Sequence, residues 1–563
     1  MRVAIIDGYV DEPSCLGVPP YVSPYPRYIY GMLCKLGYSA RYFTIDYLRE
    51  NYDVQKKLRN FDLAIIIAGI AVPGKYLGGN PLSKKELFSI GMAKRNILVG
   101  PITLELSKKE KDLLHDSNIE VIDFPFERRL FNALNNKDVE YDLSNFAIAG
   151  AEVVKQHPDF PNIICEIETY RGCYWGKCSF CIERIHKLWF RSPEDVLKEI
   201  KALYDCGVRH FRLGRQTDFL TYLADFENGD VPRPNPDGIK RFHRAVWKLC
   251  PKIKTLHLDN INPKTISEYP EDSKEIIKTI ILYQTPGNVA AMGLESADER
   301  VVRKNTLCST PEDVIKAIEL VNEFGKFPGY NGLPYFLPGI NFVIGLKGET
   351  KETFELNYEF LNEIVRRGLL LRRINIRQVK IFPGTPMERE GDKKLRKHRT
   401  YFLAFKKKVR ENIDVPMLRK ILPKGRKITD LRVEVAGERI SYARQLATYP
   451  ILVKLIGNYG RNHYLDARVV DHSHRSVTAV EADIDVNSAS LEQLECVLGK
   501  AGREVYIQRP FNDAKSLEAI AGKMALIYFS IGGGENLVAS EIKPSRSEYD
   551  SIVNKKNGKW KKL

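Results

Sequence analysis

The feature that most constrains this chain is an alternation of short β-branched runs with helical patterns, repeated in two blocks. In the first block, residues 2–6 (RVAII), 40–45, 62–69 (DLAIIIAG), 97–100 and 119–123 (IEVID) read as strands, with helical spacing of apolar residues at 26–36 and 105–115. In the second, strands are expected at 162–169, 208–214, 254–259, 289–294, 340–345 and 374–381, and helices at 193–205, 310–324 and 350–366. Strands that alternate with helices pair in parallel, because each helix is the crossover that returns the chain to the same edge of the sheet. The fold class is therefore α/β: a Rossmann-like N-terminal sheet, then six βα units that fit a partial TIM-type (β/α) barrel. In both architectures the reactive residues belong at the carboxyl ends of the strands.

A length of 563 residues asks for about three or four folding units. The pattern divides the chain into a Rossmann-like domain over 1–150, a barrel over 155–392, a basic helical connector and small β module over 393–480, a helical module over 481–545 and a basic tail over 546–563. Between about 125 and 158 the pattern is loose and polar, as in a linker. Hydrophobic residues make up 44% and charged residues 28% of the chain, which supplies globular cores and excludes global disorder. A formal charge of +16 points to an anionic partner, RNA or DNA. Residues 393–427 concentrate that charge, with only Glu411 and Asp414 opposing the Lys and Arg side chains. No apolar run reaches membrane-spanning length and the first residues read as a buried strand, so the expectation is a cytoplasmic protein with no membrane partner. Its cysteines are then reduced, and clustered ones read as metal ligands.

The cluster is Cys173-Tyr174-Trp175-Gly176-Lys177-Cys178-Ser179-Phe180-Cys181, directly after a strand. Three thiols on one loop fall one short of closing a metal centre, and a [4Fe–4S] cubane held by three cysteines keeps one iron open for an external ligand. A zinc site completed by His186 is the alternative. Glycine-rich turns end other strands: Gly214 at 213–218 (LGRQTD), Glu295 in Gly293-Leu294-Glu295-Ser296, and Gly345, Gly348 and Glu349 in 341–350 (NFVIGLKGET).

These segments together resemble the radical S-adenosylmethionine (radical SAM) superfamily over about residues 160–390, and the whole arrangement resembles archaeal proteins of that type with a C-terminal helix-hairpin-helix. The resemblance implies that Cys173, Cys178 and Cys181 hold a [4Fe–4S] cluster. It implies too that Phe180, Gly214, Glu295, Gly345, Gly348 and Glu349 contact S-adenosylmethionine, and that a low-potential donor, ferredoxin or flavodoxin, supplies the electron. The expected reaction is reductive cleavage to a 5′-deoxyadenosyl radical; the catalytic residues beyond the cluster stay unassigned. The first cysteine spacing has four intervening residues where the family usually has three. The N-terminal half resembles the cobalamin-binding domain that precedes many radical enzymes, yet the Asp-x-His-x-x-Gly signature is missing and His115 is the only histidine before residue 150, so cobalamin is not expected.

At 484–525 the order of caps, helices and glycines resembles a tandem helix-hairpin-helix, which grips nucleic-acid backbones; Gly499, Gly502 and Arg509 are its candidate contacts. The combined expectation is an enzyme that modifies a nucleic acid, tRNA first, with a protein side chain or a non-catalytic redox sensor as the alternatives.

Overall fold

The computed structural model describes residues 1–12, 15–70, 77–90, 93–136, 139–227 and 229–532. The chain forms two compact units, one holding 1–324, 338–406 and 446–448, the other 325–337, 407–445 and the chain from Tyr449 onward. No helix among the described residues is long and apolar enough to cross a membrane.

The first unit opens with five parallel strands, β1 (Arg2–Asp7), β2 (Ser39–Thr44), β3 (Leu63–Ile67), β4 (Arg95–Val99) and β5 (Ile119–Val121), in the order β2-β1-β3-β4-β5. Their centres are apolar without alternation (Val3 to Ile6, Leu63 to Ile67) because both faces of the sheet are buried. The order reverses between β1 and β3, where doubly wound folds bind ligands. Here the chain packs its own backbone into that point. Gly8 N–H donates to Ile67 O (2.8 Å) and Gly69 N–H to Tyr9 O (3.0 Å), and a Cβ on Gly8 would lie 2.6 Å from Ile67 O. Beneath it, the Asp7 carboxylate accepts from Tyr42 Oη (2.8 Å) and Tyr9 N–H (2.9 Å).

The stretch expected to be a linker is instead helical over Glu127–Leu134, Leu143–Ala149 and Gly150–Gln156. It packs against α1 (Pro24–Lys35) so closely that a Cβ on Gly31 would meet Phe146 O, and one on Gly150 would meet Arg27 O, at 1.9 Å. The apolar positions Leu130, Phe131, Leu134 and Phe146 are buried, but polar neighbours dilute their spacing in the sequence. From α1, Arg27 is fully buried and ion-paired to Glu199 (2.9 Å) in α2 (Pro193–Asp205), and Tyr28 Oη donates to Glu168 (2.7 Å).

The barrel strands are β6 (Ile164–Glu168), β7 (His210–Gly214), β8 (Thr255–Leu258), β9 (Asn288–Glu295), β10 (Phe336–Ile344) and β11 (Arg373–Gln378). β6, β7 and β8 pair in parallel; β9, β10 and β11 form a second sheet, and a parallel bridge from Asn260 to Ala291 joins the two into one arc. The arc is extended by Tyr21–Val22, which pairs in parallel with the start of β6. At the amino ends of these strands lies the short segment Leu446–Thr448: Tyr21 Oη donates to Ala447 O (2.7 Å) and Thr448 N–H to His257 Nδ1 (2.9 Å).

In the second unit, β12 (Lys427–Val435), β13 (Ile440–Arg444), β14 (Leu452–Ile456), β15 (Tyr464–His472) and β16 (Ser476–Glu481) close a barrel in the order β12-β13-β14-β16-β15. Four short helices follow, α3 (Leu491–Leu498), α4 (Ala501–Ile507), α5 (Ala514–Ala521) and α6 (Lys523–Tyr528), around Leu494, Val505, Phe511 and Leu517. Residues 533–545 of the expected helical module and the whole of the expected tail 546–563 lie outside the described residues.

Candidate active site

The cysteine loop leaves the carboxyl end of β6. Its sharp turns use Gly172 and Gly176 at φ +90° and +58°, where a side chain would be strained. Backbone N–H groups point at all three sulfurs: those of Trp175 and Gly176 at Cys173, that of Cys308 at Cys178, and that of Glu183 at Cys181. Burial pushes each thiol up, and the negative charges of Cys173 and Glu295 push Cys178 further. The thiolate set is therefore favoured only when positive charge sits among the sulfurs.

A second loop braces the first. Asn305, which caps the helix Glu299–Lys304, receives Ser179 N–H on its carbonyl (3.0 Å) and Ser179 Oγ on its side chain (2.7 Å), and its amide donates to Lys347 O (2.8 Å). Trp175 Nε1 donates to Thr306 O (2.8 Å), and Asn262 Nδ2 reaches Cys308 Sγ (3.3 Å). Phe180 and Cys178 pack with Leu346, Val379 and Met387. Asn305 was not singled out from the sequence, and nothing local marks it: its partners are 42 and 126 residues away.

The other expected residues divide. Glu295 ends β9 in the left-handed region (φ +62°), its Oε2 buried with no hydrogen-bond partner among the described residues. Burial, opposed by the charge of Arg377, lifts its carboxyl to about 8. Gly214 packs against Glu166, whose Oε1 would lie 1.8 Å from a Cβ there, so glycine is required by close approach. Gly345 and Gly348 take φ +98° and +88°. Glu349 is committed inside the fold, accepting from Gly345 N–H (2.7 Å) and bonded to His398 Nδ1 (2.7 Å). Its two carboxyl oxygens thereby hold the Gly345 turn and the His398 ring in place. Arg215 is fully buried, donating to Glu183 (2.9 Å) and meeting His186 Nε2 (3.1 Å). Burial and Arg215 push His186 down to about 4. With that nitrogen engaged, and with no three His, Cys, Asp or Glu groups placed to hold one metal ion among the described residues, the zinc alternative has no ligand set.

In the second unit, α3 and α4 meet at Gly499 (φ +60°), and α5 and α6 at Gly522 (φ +70°). Gly499 stands open, with nothing within 4 Å of a Cβ. Gly502 is instead buried against Leu494, whose carbonyl carbon would lie 2.6 Å from a Cβ. Arg509 turns back to donate to Ala489 O (2.6 Å). Gly502 and Arg509 thus both take part in the module's own packing.

Residues 167–361 match the family model described as the Radical SAM superfamily. The chain belongs to that superfamily. It is an enzyme, and the [4Fe–4S] cluster and S-adenosylmethionine are its cofactors. It is 74% identical over 95% of its length to an uncharacterized protein of Archaeoglobus fulgidus, all of which it covers. A tRNA-2-methylthio-N(6)-dimethylallyladenosine synthase of Mycobacteroides abscessus is 24% identical over 43% of this chain and 46% of its own. Among solved structures, the radical S-adenosylmethionine methyltransferase TsrM of Kitasatospora setae, with cobalamin and a [4Fe–4S] cluster bound, is 14% identical with a TM-score of 0.47, covering 69% of this chain and 74% of that one.

Proposed function

We propose that this radical SAM enzyme modifies a nucleic acid, with tRNA the favoured substrate, and that Cys173, Cys178 and Cys181 hold its cluster. When bound, the cluster supplies the electron that cleaves S-adenosylmethionine reductively. The residues do the rest. Backbone N–H groups aimed at each sulfur favour thiolate, and three thiolates suit a cubane centre in which each binds a different iron. Phe180, packed at the edge of the same loop, offers an apolar face to the cosubstrate's adenine.

The observation that carries the site is Glu295. A carboxyl oxygen buried without a partner, close enough to Cys178 to raise its thiol, asks for a cation or hydroxyl donor. The ammonium or ribose hydroxyls of S-adenosylmethionine are such donors. The nucleic-acid substrate is supported by the charge of +16, by exposed Lys393, Arg396, Lys397 and Arg399 in the basic stretch, and by the open hairpin glycine Gly499. The similarity to an enzyme named for a tRNA nucleoside agrees with it.

Two measurements test the proposal. Anaerobically reconstituted protein should contain about four irons and four sulfides per chain and release 5′-deoxyadenosine when given S-adenosylmethionine and a strong reductant; Cys173→Ala, Cys178→Ala or Cys181→Ala should abolish both. Mass spectrometry of digested tRNA from a deletion strain should reveal a lost nucleoside. Unchanged nucleosides beside an altered peptide would move the substrate to a protein side chain.

A further inference from the structure

The barrel of the second unit pairs its strands in a specific way. β12 pairs antiparallel with both β13 and β15, β13 with β14 and β15 with β16 antiparallel, and β14 with β16 in parallel. This is a five-stranded Greek-key barrel of the OB kind, in which the face of the second and third strands and the loop between the fourth and fifth form the binding surface. Topology by itself names no ligand; the side chains on that surface do.

On β13, β14 and β16 the inward positions Ser441, Ala443, Val453, Leu455, Val477 and Ala479 are buried. The alternate positions face outward, and the register sets Tyr442 beside Lys454 and Lys454 beside Thr478, one row across three strands, each half-exposed. Exposed His474 and Arg475 occupy the loop between β15 and β16. Burial and the positive charges of Arg410, Arg475 and Lys454 hold His474 below the usual histidine range, which places four basic groups at one location. Asp471, the acid near the end of β15, faces Lys424 (3.9 Å).

An aromatic ring and a hydroxyl in one row, bordered by clustered cations, match a strand of stacked bases and phosphates. A purely acidic peptide would need no ring there. A duplex would keep its base faces hidden. We propose that this barrel face binds a single-stranded RNA segment, a base stacking on Tyr442 and phosphates meeting Lys454, Arg475 and Arg410. The proposal deepens the nucleic-acid reading above and rests on it.

The test uses the full-length protein, an oligouridylate of about 12 nucleotides, an RNA duplex of the same length and total tRNA. Tyr442→Ala should weaken oligouridylate binding about tenfold while Tyr442→Phe, which keeps the ring, binds as wild type. Lys454→Glu should weaken it similarly and flatten the salt dependence. Neither should change 5′-deoxyadenosine release without RNA. Oligouridylate bound equally by wild type, Tyr442→Ala and Lys454→Glu overturns the barrel face and leaves the nucleic-acid reading standing. Wild-type protein that binds none of the three RNAs overturns both. Polyglutamate that displaces oligouridylate as well as tRNA does makes the face a general anion site and also overturns the proposal.

Discussion

Glu295 is expensive as it stands. A buried carboxyl oxygen without a partner costs about 1–3 kcal/mol, and burial separately disfavours the charged form, lifting the carboxyl to about 8. If the ammonium of S-adenosylmethionine fills that gap, binding favours the carboxylate. Affinity should then rise as pH climbs toward about 8 and level off above it, and below that pH binding should release a proton. Calorimetry in two buffers of different ionisation enthalpy would detect the proton, and Glu295→Gln should lose both the release and the pH dependence. At this scale the sequence is unevenly legible. Cys173, Cys178 and Cys181 are visible because their chemistry is local, one loop with three thiols. Nothing near Glu349 in the sequence announces that His398, 49 residues away, shares its carboxylate. Asn305 stays invisible for the same reason.

Among the elements, the seam between the N-terminal sheet and the arc of barrel strands is ionic and buried. Glu199 takes both Arg27 and Arg191, and all three are nearly or fully inaccessible. Removing one partner of a buried pair is costly when the other is left uncompensated. Glu199→Gln strands two arginines and should cost about 3–5 kcal/mol in chemical denaturation. Arg27→Met leaves Glu199 with Arg191 and should cost clearly less. Equal effects would show that Arg191 does not share the charge. The regular strands and helices lie nearly where the pattern predicts them, since their apolar spacing is strong; α2 begins at the expected residue 193, behind a Ser192 cap whose Oγ accepts from Asp195 N–H (3.1 Å). The helices over 127–156 were missed because their burial depends on α1, a partner the local pattern does not contain.

In the whole molecule, the two units do not follow one another along the chain. Residues 325–337 belong to the second, and Leu446–Thr448 returns to the first. Leu446 is buried with Tyr21 and Ile164, and Thr255 Oγ1 donates to its carbonyl (2.7 Å). Leu446→Ala should therefore destabilise the first unit by about 2–5 kcal/mol, although the residue lies far along the chain from any strand of that unit. Hydrogen exchange at the amides of β6 and β8 would register it; faster exchange confined to β12–β16 would contradict it. A chain ended at Lys406 should lose the same support.

The sequence by itself determined the α/β class, the succession of strands along the chain in both blocks and the three thiols, because hydrophobic period and a single loop's chemistry are local properties. Only the tertiary structure decided what those thiols lie against, which acids are spent on holding turns and which one keeps an unmatched oxygen. It alone decided that a segment from beyond residue 440 supports the first unit. These depend on which distant side chains share a buried space, where an unpaired charge or polar atom is costly, and the spacing of residues along a chain does not encode that.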